Sequence, residues 1–230
     1  MLINWVAQLE PIKRAGWHWD LDGKFKMARA TQPHDTPWLH APYAIPGSME
    51  EGIDCGYLTM FHNHVFQQKG VHSFCMDCYK VVVMPETLDQ VQKIAEWQHG
   101  TGWACKVGAE RRNYTQRKWG AYFYCRGVEQ GRERYKQVRE WVDENIGKHI
   151  NVILKRACTE FEQALGESDK WQKLPGQDEI EKEAKEVIHY EPMPPIQAPS
   201  IQHHVWDVWD DWDRLNKPPV TYHEKESVEE

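Results

Sequence analysis

At 230 residues, 40% hydrophobic and 27% charged, the chain is long enough for one domain with a real core and appendages. Its net charge of -7 argues against a general affinity for nucleic acid or anionic membrane. No apolar run reaches the roughly 20 residues that span a bilayer, and "MLINWVAQLEPIKR" lacks the basic start and long apolar core of a signal peptide. A cytoplasmic location is therefore expected, where six cysteines are read as thiols or metal ligands rather than as a disulfide framework.

Residues 1–70 carry many turn formers and no lasting period, as in "GWHWDLDGKFKMARATQPHDTPWLHAPYAIPG". An irregular, Trp-rich segment packed on the rest is expected there. "YLTMFHNHVFQQ" (57–68) is apolar enough for a strand or a short helix.

Residues 71–166 form the expected core domain. "YKVVVMP" is a β-branched run that reads as a buried strand, ended by Pro85. Thr87 and Gln90 match a capping box, and Leu88, Val91, Ile94 and Ala95 give the following helix its stripe, up to "HGTG". "WACKVGAERR" and "WGAYFYC" then read as two strands. Pairing Cys105 with Cys125 sets Val107 opposite Phe123, Ala109 opposite Ala121 and Arg111 opposite Trp119, an apolar face apart from the arginine. A second helix is expected over about 129–146, with Tyr135, Val138, Val142 and Ile146 inward.

The order β-α-β-β-α, with right-handed crossover, places the third strand between the first two. The fold class that follows is α+β, a ferredoxin-like split β-α-β-β-α core. "HINVILKR" would be a fourth strand. However, Ile150, Ile153, Leu154, Ala157, Phe161 and Leu165 fit a helical stripe closed by Gly166, so a helix is expected there. Residues 167–230 form a polar, Pro-rich linker and tail: "DEIEKEAKEVIHY" as a short charged helix, "EPMPPIQAP" as a stiff linker, a Trp-rich stretch and a frayed end.

The cysteines carry the chemistry. Cys75 and Cys78 form a C-x-x-C at the mouth of the first strand. The topology brings Cys105 and Cys125 to the same end of the sheet, and neighbouring strands lie about 4.8 Å apart. Four thiols so gathered suit zinc first and a [4Fe-4S] cluster second. Cys158 is the alternative fourth ligand, His72 a substitute in a Cys3His site, and Cys55 a weaker candidate. Simple burial accounts equally for Cys105 and Cys125. The motif precedes a strand rather than a helix N-terminus, which argues against a thioredoxin-like dithiol. His62 and His64 in "FHNH" fit a strand with an outward polar side.

Two other surfaces stand out. Tyr122 and Tyr124 share a sheet face with Lys106 and Arg112, beside a hairpin bearing Arg117 and Lys118. That pattern resembles the stacking face of single-strand-binding modules, unless the N-terminal segment covers it. Trp206, Trp209 and Trp212 recur every three residues among aspartates, as in a segment that docks on a protein partner or on its own domain. No nucleophile elbow, Walker loop or dinucleotide fingerprint occurs. The first expectation is a metal-binding protein, with Cys-ligated zinc or [4Fe-4S], that acts in binding or assembly. The second is an iron–sulfur redox protein or enzyme, and the third a ferredoxin-like single-stranded nucleic-acid binder.

Overall fold

Three consecutive valines, Val81 to Val83, are buried on both sides of strand β4 (Cys78–Met84), so that strand must lie inside a sheet with cover on each face. A computed structural model describes residues 17–19, 25–27, 37–41, 55–112, 114–189 and 199–216. In chain order it has β1 (Trp17–Trp19), β2 (Phe25–Met27), β3 (Trp38–Ala41), α1 (Cys55–Met60), a π-helical turn (Phe61–Val65), α2 (Ser73–Met76), β4, α3 (Leu88–Thr101), β5 (Cys105–Ala109) and β6 (Trp119–Arg126). The chain continues through α4 (Gly127–Asn145), β7 (Asn151–Arg156), α5 (Thr159–Leu165), α6 (Gln177–Val187), β8 (Ile188–His189) and α7 (Pro199–Leu215). This is an α+β protein built on an open, antiparallel five-stranded sheet ordered β3-β5-β6-β4-β7. A small second sheet has the order β1-β2-β8. Most of the N-terminal segment, the Pro-rich linker and the chain end lie outside the described residues.

Local signals set the boundaries. The Thr87–Gln90 capping box forms with both hydrogen bonds, and α3 runs on to Thr101, where Gly102 closes it in a left-handed conformation. The "HGT" expected outside the helix thus forms its last turn. Val138 and Val142 of α4 are buried, with Tyr135 and Ile146 at the margin of the same core. Trp97 of α3 stacks on Trp141 of α4 with centroids 4.1 Å apart, locking the two helices over one sheet face.

Residues 149–156 do not continue as a helix. Asn151–Arg156 forms β7, paired antiparallel with β4, and only Thr159–Leu165 is helical. The free side of β4 explains this, because its buried backbone groups need a partner and "NVILKR" supplies β-branched residues at the right distance.

The register of β5 on β6 also differs by two residues from the expected one. Cys105 faces Phe123, while Cys125 faces Tyr79 on β4. A two-residue slip keeps every side chain on its expected face. The hairpin closes earlier, where the Glu110 amide donates to the Lys118 carbonyl, so Arg111 and Arg112 belong to the loop.

The sheet separates two cores. One holds Val81, Val83, Cys105, Val107, Ala121 and Phe123 under α3, α4 and α7. The other holds Cys75, Cys78, Val82, Tyr122 and Tyr124 under α1, the π-helical turn, α5 and α6. Strand β3 adds to the far edge at close range: a Cβ on Gly108 would sit 1.9 Å from the Pro37 carbonyl oxygen. Residues before 71 therefore enter the main sheet and its cover.

The Trp-rich tail forms a helix on its own domain. Trp209 is fully buried and donates to Pro37 O at 2.8 Å, and Trp212 donates to Lys118 O at 3.1 Å. Trp206 packs against Trp209 at 5.1 Å between ring centroids. Among the described residues no helix is long and apolar enough to cross a membrane.

Candidate functional site

Side chains alternate across a strand, and that parity divides the cysteines. Cys78 shares a face with Lys80 and Val82, and Tyr79 shares the other with Val81 and, by pairing, Cys125. Cys105 and Cys125 accordingly lie in the core under α3 and α4, on the opposite side of the sheet from Cys75 and Cys78. The expected set of Cys75, Cys78, Cys105 and Cys125 does not come together. The three strand cysteines lie toward one end of the sheet, but Cys78 takes one face and Cys105 and Cys125 the other. Burial raises the Cys105 thiol to about 12 and the Cys125 thiol to about 11, as inert core groups. Cys105 donates to the Ala41 carbonyl at 3.0 Å.

On the other face the sheet and its helical cover enclose a cavity of about 620 Å³, and four cysteines line it: Cys55, Cys75, Cys78 and Cys158. Each comes from a different local setting. Cys55 opens α1, Cys75 lies in α2, Cys78 begins β4, and Cys158 caps α5 after β7. Cys75 and Cys78 are buried, Cys158 is half-buried, and Cys55 is the most exposed, as a residue at a cavity wall can be even deep in the fold. The helix-capping position of Cys158 follows from a backbone kink. Ala157 takes a left-handed conformation (φ 48°) and its amide donates to Cys78 O at 2.8 Å, which turns the chain from β7 toward the C-x-x-C.

The other non-glycine residues with positive φ, Gln67 and Gln68, follow the π-helical turn, and Gln68 also lines the cavity. Strained backbone and a π-helical turn at one cavity are features that concentrate at functional sites.

The sheet wall is cationic. Lys80 is 6% exposed, and its Nζ donates to Cys158 Sγ at 3.4 Å. Lys106 lies over the Trp38 ring at 4.3 Å and the Tyr122 ring at 5.3 Å. Arg112 is fully engaged: Nε donates to Glu110 Oε1 at 2.6 Å, Nη1 to Glu160 Oε1 at 3.1 Å and Nη2 to the Tyr122 hydroxyl at 2.7 Å. Burial would raise Glu110, yet the Arg112 and Tyr122 hydrogen bonds outweigh it and hold the carboxyl below its usual range. The nearby carboxylates are therefore taken by Arg112, and no described carboxylate forms an ion pair with Lys80 or Lys106.

The thiols take up that role. A hydrogen bond from Cys55 lowers Cys158 well below the ordinary thiol value, and Lys80 adds to this against the cost of burial. Cys55 is raised by the same hydrogen bond and by burial. Burial works against the Lys80 charge, but Cys158 and Cys78 more than offset it and keep the ammonium protonated. Cys75 and Cys78 are raised by burial, Cys78 to about 11.

Other expected residues fall as follows. His72 stays off the cavity: its Nδ1 accepts from the Phe74 amide at 3.1 Å to start α2, and its Nε2 faces Glu181 at 3.7 Å. His62 lines the cavity, with Nδ1 2.8 Å from Gly70 O and its ring against Phe161. The face bearing Lys106, Arg112, Tyr122 and Tyr124 is enclosed rather than open, with both tyrosines buried. Arg117 bonds the Tyr122 hydroxyl and Lys118 bonds the Asn216 carbonyl. Among the described residues, no group of three or more His, Cys, Asp or Glu side chains is arranged to hold a metal ion. In comparisons with protein-family models, curated proteins and solved structures, nothing matches the chain.

Proposed function

We propose that this is an iron–sulfur protein in which Cys55, Cys75, Cys78 and Cys158 hold a [4Fe-4S] cluster inside the cavity. The observation that carries the reading is the convergence of four cysteines from three chain segments on one cavity, against two lysines with no paired carboxylate. The core is read as a ferredoxin-like split β-α-β-β-α-β unit with β3 added at one edge, a reading supported by the strand order β5-β6-β4-β7.

The donor chemistry favours a cluster over zinc. A single zinc ion holds sulfurs about 2.3 Å away, hence about 3.8 Å from one another, and the described residues form no such group. A cubane spreads its four thiolates more widely and suits a roomy cavity. In this reading Cys75 and Cys78 bind as a C-x-x-C pair, Cys158 enters already charged, and Cys55 closes the exposed side. When bound, such a cluster supplies one-electron transfer. Lys80 and Lys106 offset the negative charge of the thiolates, while Leu58, Phe161 and Tyr124 keep water from the sulfurs.

Single Cys→Ser variants test this. Loss of iron and acid-labile sulfide in each of the Cys55, Cys75, Cys78 and Cys158 variants, with retention in Cys105→Ser and Cys125→Ser, is the expected pattern. Retention in all four cavity variants would sink the reading.

The placing of Cys55 and Cys158 in one cavity, with Lys80 Nζ 3.4 Å from Cys158 Sγ, supports a second reading, a dithiol pair that an added disulfide oxidant would close. It predicts an isolated protein without iron and a disulfide that forms equally well in Cys75→Ser and Cys78→Ser.

A further inference from the structure

Strand β7 has one neighbour, β4, and no described strand pairs with its outer edge. An open edge is a template for another strand. The strand contains no proline, Ile153 at its middle is 36% exposed, and its two charged residues are engaged within the chain, Lys155 with Glu162 and Arg156 with the Met76 and Ser168 carbonyls. A groove of about 690 Å³ runs between this edge and α4, with Val152, Ile153, Leu154 and Tyr135 among its lining.

The α4 side of the groove carries Glu129, Arg132, Glu133 and Lys136. Their spacing of i, i+3, i+4 and i+7 puts them along one face of the helix. The charges read negative, positive, negative, positive. Reversed end to end, that series is its own complement, so an antiparallel copy sets Glu129 against Lys136 and Arg132 against Glu133. Gly131, inside the series, packs against Leu154 of β7, where a Cβ would meet the leucine Cδ1 at 2.9 Å, so the series lies alongside the middle of the strand. A two-fold axis at right angles to the sheet reverses strand and helix together, which satisfies both matches with one operation.

We propose that this edge is a dimerisation surface whose partner is a second copy of the chain. Strand β7 pairs antiparallel with β7 of the other copy, the two sheets become continuous, and the α4 helices lie side by side with opposite charges facing. This surface is separate from the cysteine cavity, so either proposal stands if the other fails.

Sedimentation equilibrium of the full chain tests it, with far-UV circular dichroism to verify folding. The wild type is expected to be dimeric. Arg132→Glu sets like charges across the axis and is expected to weaken the dimer by about tenfold or more. The double variant Arg132→Glu with Glu133→Arg restores the complementary series and is expected to recover the wild-type constant. A monomeric wild type, a dimer indifferent to Arg132→Glu, or no recovery in the double variant would each overturn the proposal.

Discussion

Lys80 Nζ meets Cys158 Sγ at 3.4 Å, joining an interior strand of the sheet to the turn that follows its edge strand. A lysine buried on an inner strand is costly unless an anion answers it. The described carboxylates nearest this wall are committed to Arg112, while a hydrogen bond from Cys55 together with Lys80 pulls Cys158 below the ordinary thiol value. The left-handed turn at Ala157 holds Cys158 in that place.

Replacing Lys80 tests that assignment. In metal-free, reduced protein, Cys158 should alkylate with iodoacetamide at pH values where an ordinary thiol is protonated. Lys80→Met should move the midpoint of its rate-versus-pH curve upward by about one pH unit or more. Peptide mass spectrometry assigns the reacting thiol, and an unchanged midpoint would mean that Lys80 does not hold the charge.

His72 gives the fold a pH dependence below neutrality. Burial lowers it from its ordinary value to about 4; Glu181 works against this, and Lys185 and Arg126 add to it. The folded state thus favours neutral imidazole. Its contribution is complete above pH 6.5 and is lost as pH falls from 6.5 through about 4. His72→Asn keeps an acceptor for the Phe74 amide and removes the titration. Between pH 7 and pH 5 the wild type should lose about 2 kcal/mol more stability than the variant in urea unfolding.

Trp209 fastens α7 to the sheet through a fully buried ring and the Pro37 carbonyl. Trp209→Ala should cost about 3–5 kcal/mol of unfolding free energy. The half-buried Trp206 and Trp212 should cost clearly less. Equal losses at all three positions would contradict the packing described.

Gly108 has no room for a side chain, because the Pro37 oxygen occupies the place of a Cβ. Gly108→Ala should push β3 away and cost about 2–3 kcal/mol. Hydrogen exchange at the Ala109 amide, which donates to Pro37 O at 3.0 Å, should rise in step.

Much of the core was legible because its signals are local. The Thr87–Gln90 capping box, the valine run of β4 and the Val138–Val142 stripe each specify one element without outside help. Residues 151–156 were ambiguous because Ile150, Ile153 and Leu154 satisfy both periods, and the deciding fact, the unpaired side of β4, is tertiary. The cysteine site was half legible. The C-x-x-C marked Cys75 and Cys78, but the choice of partners turned on strand parity, which sets Cys105 and Cys125 on the far face. Parity alone was a usable signal, because Cys78 lies two residues before Lys80 and so takes the opposite face from Tyr79, whose partner is Cys125. Cys55 stood out only as a weaker candidate and Cys158 as an alternative, because their places depend on how α1 and α5 fold over the sheet.

The most direct measurement is the iron and acid-labile sulfide content of the full chain purified without oxygen, read with its visible spectrum. The account predicts about four irons and four sulfides per chain with a broad band near about 400 nm. A colourless protein with neither, still free of both after reconstitution with ferrous iron and sulfide, would contradict it.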